Sequence, residues 1–73
     1  MNELFILFIE CLVKEAACYR RLAFLGQEQI KLMSAAQEDG LLEITARMEE
    51  QIELLTPIIT RKKTIIKRFQ SEF

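Results

Sequence analysis

Histidine and tryptophan are missing from this 73-residue chain, cysteine and glycine occur twice each, and proline once. Without histidine, and with only Cys11 and Cys18 as thiols, the set of ligands is too small for a structural zinc site. On one helix those cysteines stand about 10 Å apart along the axis, beyond the roughly 7 Å Cα separation that a disulfide tolerates, so they do not bridge each other. They are expected as small buried hydrophobes in a reducing compartment. Long apolar runs are missing too. Leu4 to Ile9 is cut off by Glu10, Lys14 and Glu15, well short of the ~18–20 residues that span a bilayer. No basic region precedes that run and no small-residue cleavage site follows it, so a secretory signal is not expected and the address is cytoplasmic. A net charge of −1 gives no general attraction to nucleic acid or to acidic membranes.

A catalytic set is also lacking. Glu49, Glu50 and Glu53 are expected on a solvent face, where glutamates serve solubility and pairing along the helix. No Gly-rich phosphate loop or nucleophile motif accompanies them. General acid–base work needs titratable groups gathered in a pocket, which a two-helix protein does not enclose. The chain is therefore read as no enzyme, with no cofactor and no metal.

What is present is helical periodicity. From Leu41 onward, apolar residues recur at steps of three and four: Leu41, Met48, Ile52, Leu55, Ile59, Ile66, Phe69 and Phe73, with Thr45 and Lys62 breaking the series. The first half carries a wider stripe of the same period: Leu4/Phe5, Phe8, Cys11/Leu12, Ala16, Cys18/Tyr19, Leu22/Ala23, Leu25, Ile30 and Leu32/Met33. Two such helices cover only each other. With 51% of the chain hydrophobic, part of both stripes is left for a partner or a second copy.

The turn between the halves is expected at Gln37-Glu38-Asp39-Gly40, with Asp39 capping the helix that follows. The spacing thus predicts an all-α antiparallel hairpin, one domain over 1–73, with helices near 3–37 and 40–71. Gly26 is read as a point of close helix packing. The second helix is expected to be kinked at Pro57, or else broken there, because the heptad phase runs through the proline without a skip. A turn centred on Asp39 would set Glu10 beside Arg68, Glu15 beside Lys63 and Lys31 beside Arg47, with Glu43 and Glu50 a turn away. Such rim pairs select register and orientation.

The stretch from Tyr19 to Lys63 resembles the N-terminal helical hairpin of the FlgN-like flagellar export chaperones for hook-associated proteins. Glu28-Gln29, Asp39-Gly40, Glu49-Glu50-Gln51 and Arg61 carry the likeness, and Pro57 departs from it. The chain's length resembles the small hairpin co-chaperones of virulence type III secretion systems, which pair with a helical-repeat partner and guard the needle subunit. Both resemblances imply a cytosolic protein that caps the amphipathic helix of a secreted subunit and prevents its premature polymerisation.

The residues expected to bind such a partner are those left over once the hairpin seam is filled. They are Phe5, Phe8, Ile9, Tyr19 and Phe24 on the first helix, and Ile58, Ile65, Phe69 and Phe73 on the second. The competing expectation is a homodimeric four-helix bundle in which Phe5, Phe8 and Phe69 fill the core. Such a dimer would be structural or regulatory, with RNA as a possible ligand of its basic end: Arg61, Lys62, Lys63, Lys67 and Arg68.

Overall fold

The computed structural model describes residues 2–72. Two helices, α1 (Glu3–Ser34) and α2 (Glu38–Glu72), pack antiparallel as a hairpin of 54 × 16 × 13 Å. The α1 N-terminus is capped by Asn2, whose Oδ1 accepts the Leu4 amide at 2.9 Å, and Glu3 in the first turn complements the helix dipole.

α1 ends in a Schellman motif. The Ala36 N–H donates to the Met33 carbonyl and the Gln37 N–H to the Leu32 carbonyl, with Ala36 in the left-handed region at φ 55. The turn is thus 35–37, three residues before the expected place. Glycine and aspartate are ordinary turn signals, but here Asp39 and Gly40 lie inside the first turn of α2, which opens as the Leu41 N–H donates to the Gln37 carbonyl. Asp39 therefore serves the helix dipole rather than the cap. Gly40 has a different physical reason: a Cβ there would come within 3.0 Å of the Leu32 side chain, so the glycine lets the helices close up beside the turn.

The core is one heptad seam from each helix. On α1 it runs Leu4, Phe8, Cys11, Glu15, Cys18, Leu22, Leu25, Gln29 and Leu32. On α2 it runs Leu41, Ile44, Met48, Gln51, Leu55, Ile58, Lys62, Ile65 and Phe69. Every one of these residues is buried or half-buried. At the open end Leu4, Cys11 and Ile65 form a buried cluster against which Leu7, Phe8, Ile58 and Phe69 pack. The Phe8 and Phe69 rings meet edge to face, with centroids 6.3 Å apart. Both cysteines are reduced and buried, Cys18 to 2% exposure.

α2 continues unbroken through Pro57. The proline supplies no N–H to the Glu53 carbonyl, and both residues are exposed, so water can take that carbonyl's bond. Around it, the hydroxyls of Thr56, Thr60 and Thr64 each donate to the carbonyl four residues earlier, at 3.0–3.2 Å. Among the described residues, no helix is long and apolar enough to cross a membrane.

Candidate interaction surface

Two polar contacts tie the seam together. The Lys62 ammonium lies 2.7 Å from Oε2 and 3.0 Å from Oε1 of Glu15, with side chains only 23% and 15% exposed. Nearer the turn, the Arg21 Nε donates to Gln51 Oε1 at 2.7 Å. The expected pairing of Glu15 with Lys63 is thus one residue off, and Lys62, which looked like a break in the apolar series, is the seam's own ion-pair partner. Lys31 and Arg47 turn to their own helices instead, to Glu28 at 3.3 Å and Glu43 at 2.9 Å.

The outer surface has two unlike sides. One position after the most buried residues of α1 comes a second stripe at the same spacing: Phe5, Ile9, Leu12, Ala16, Tyr19, Ala23, Gly26, Ile30 and Met33. It holds no charged residue and is exposed throughout, apart from half-buried Gly26. On α2 the corresponding positions are Thr45, Ile52, Ile59 and Ile66 beside the seam, with Leu42, Glu49, Thr56, Lys63 and Gln70 outside them. α2 is reversed both in direction and in the way it faces, so a rotation of the same sense carries both stripes to one side of the hairpin. On that side the α1 stripe is uncharged along its length, and α2 adds isoleucines bordered by Glu49 and Lys63. The opposite side bears Lys14, Arg21 and Glu28 with Arg47, Arg61 and Arg68, along with Leu7 and the exposed Leu54.

Among the described residues, six apolar side chains are buried and thirteen large ones are exposed, a ratio that an isolated domain would reverse. Of the nine residues expected to bind a partner, Phe5, Ile9 and Tyr19 stand on the apolar side. Phe8, Ile58 and Phe69 are half-buried in the seam, and Ile65 is 4% exposed and belongs to the hairpin's own core. Phe24 lies on the other side, in an open groove of about 410 Å³ shared with Arg20, Arg21, Leu25, Arg47, Glu50 and Gln51. Phe73 lies outside the described residues.

The apolar side also includes Leu12, Ile30, Met33, Ile52 and Ile66, which sequence reasoning had set in the seam stripes. The misplacement on α2 is one of register. Ile52, Ile59 and Ile66 compete for the seam with Ile44, Ile58 and Ile65, and both sets share Leu41, Met48, Leu55 and Phe69. The signal that separates them lies on α1, whose double stripe requires an outer face as well as an inner one.

Gly26 also differs from expectation, because a Cβ there would meet nothing within 4 Å. The hairpin does not pack closely at that point. The basic residues of α2 do not form one patch: Lys62 is held by Glu15, while Arg61 and Arg68 point to one flank and Lys63 to the other. Among the described residues, no three Cys, Asp or Glu side chains gather as a metal site. No family model, curated protein or solved structure matches the chain.

Proposed function

We propose that this protein is a non-enzymatic export chaperone or co-chaperone of a flagellar or type III secretion system. It caps the amphipathic helix of a secreted subunit so that the subunit does not polymerise in the cytoplasm. The observation that carries this reading is the uncharged second stripe along α1, joined on the same side by Ile52, Ile59 and Ile66 of α2. A guest helix laid along the groove between these flanks meets apolar residues at the spacing that helix-in-groove recognition uses. It would cover Phe5, Ile9, Leu12, Tyr19, Ile30, Met33, Ile52 and Ile66, all of which the hairpin leaves exposed. The likeness of Tyr19 to Lys63 to FlgN-like chaperones supports the choice of client.

The test mixes the chain with a purified hook-associated or needle subunit and follows polymerisation by light scattering. Stoichiometric chain should suppress it, and Leu12→Glu combined with Tyr19→Glu should abolish the suppression while helicity persists. Raising salt tenfold should weaken the complex only slightly, whereas binding to RNA through the basic residues of α2 would fall by orders of magnitude. Undiminished polymerisation in excess chain, or full suppression by the double variant, refutes the reading.

A further inference from the structure

We infer that the side of the hairpin opposite the α1 stripe holds a second binding site, whose ligand is a short acidic segment of a partner protein in which carboxylates border an apolar side chain. The site is the open groove of about 410 Å³ beside Phe24. It goes beyond client capping and does not rest on it, because none of the groove's residues belongs to the apolar stripes of either helix.

The sequence concentrates positive charge at this place. Between Glu15 and Glu28, α1 carries no acidic residue, and its only charges over positions 16–27 are Arg20 and Arg21. Arg21 is drawn to the junction of the helices by the bond from its Nε to Gln51 Oε1 at 2.7 Å. Arg47 lines the same groove from α2; its Nη2 donates to Glu43 Oε1 at 2.9 Å, and the rest of its guanidinium makes no bond among the described residues. Arg20 is exposed and has no hydrogen bond or ion pair among them at all. The groove thus holds three guanidinium groups to one carboxylate, that of Glu50, in a chain whose net charge is −1.

Phe24 gives the groove an apolar wall. Its side chain is exposed, while Leu25 next to it is buried in the seam and closes the floor. A single exposed aromatic on a convex surface needs no explanation. One set in a concavity among three guanidinium groups has the make-up of a binding site, in which apolar surface supplies affinity and a few charged groups fix orientation. Guanidinium forks match carboxylates, two N–H groups to two oxygens. An apolar ligand side chain seated on Phe24 and Leu25 leaves its neighbouring carboxylates to Arg20 and Arg21 on one wall and Arg47 on the other.

The charge pattern along this side selects a short segment over a polyanion. A nucleic acid carries phosphates along its whole length. Laid along this side, it would run onto Glu28 and Glu43 toward the turn, and past Lys14 and Arg61 onto Glu10 toward the open end. Positions 16–27 of α1 span about 18 Å, roughly the length of five or six extended residues. An acidic peptide of that size fits between the acidic borders.

The experiment titrates the nitrogen-15-labelled full chain with a synthetic hexapeptide, Glu-Asp-Ile-Leu-Glu-Asp, and follows backbone amide shifts. Saturable shifts should appear at 20–25 and 47–51 and not along the α1 stripe. Arg20→Glu and Arg47→Glu should each raise the dissociation constant about tenfold, and Phe24→Ala about fivefold, with helicity unchanged because all three side chains are exposed. Leu12→Glu, on the other side, should leave it unchanged. The same peptide with Gln and Asn in place of Glu and Asp should bind at least about tenfold more weakly, and an oligouridylate more weakly than the acidic peptide at about 0.15 M salt. No saturable shift up to about 5 mM acidic peptide, equal binding of the neutral peptide, or tighter binding of the oligouridylate through the same arginines overturns the inference. Suppression of subunit polymerisation is read on other residues, so the failure of either result leaves the other standing.

Discussion

Removing one member of the Glu15–Lys62 pair should cost far more than removing both. The two side chains sit in the seam, flanked by Cys11, Cys18, Ile58 and Ile65, and neither is more than a quarter exposed. An exposed pair contributes about 0.2–1 kcal/mol, and breaking a fully buried one costs about 3–5 kcal/mol. At 15% and 23% exposure the cost falls between these ranges. The two single variants should also differ. In Glu15→Leu the orphaned Lys62 can extend its ammonium along its own stem toward water, so the loss is about 1 kcal/mol. In Lys62→Leu the shorter Glu15, the more buried of the two, is left charged among apolar side chains. The loss is then about 2–3 kcal/mol, or on the order of 10–15 °C in melting temperature for a domain of this size. The double Glu15→Leu, Lys62→Leu variant should melt at or above the parent, because two leucines continue the seam. Urea unfolding followed by circular dichroism, with chain concentration held fixed because any self-association adds to apparent stability, measures all four corners of the cycle. Single-variant losses within 0.5 kcal/mol of zero that add in the double variant would refute this account of the seam.

Two further changes test the backbone. Ala36→Gly should stabilise the hairpin by about 0.5–1 kcal/mol, because Ala36 holds a left-handed conformation that glycine adopts without strain; a lower melting temperature would count against the Schellman turn. Pro57→Ala should stabilise α2 by about 1–3 kcal/mol by restoring the amide donor to the Glu53 carbonyl. A drop in helicity or melting temperature would show instead that the proline is needed for α2 to follow α1.

The hairpin was legible in the sequence because both halves repeat at the helical period and only one polar stretch divides them. Its details were less so, and the reasons are physical. Asp39-Gly40 reads as the turn on the ordinary rule that glycine supplies unusual backbone angles. The left-handed position is instead taken by Ala36, and Gly40 is small because Leu32 lies against it. The register of α2 could not be settled from α2 alone, since sliding the seam by one position exchanges Ile44, Ile58 and Ile65 for Ile52, Ile59 and Ile66 at nearly equal hydrophobicity. That near-equality bears on function. An ordinary surface helix has one apolar set to bury and carries polar residues elsewhere. Here α1 has two full-length sets and α2 has two partial ones, and pairing the helices consumes one set from each. Whichever set turned inward, a second would remain on the outside. A surface of this kind follows from the residue pattern itself, and Glu15 with Lys62 settles which set it is. By holding a charged pair in the inner seam, they keep that seam closed on itself and leave the uncharged α1 stripe from Phe5 to Met33 on the outside.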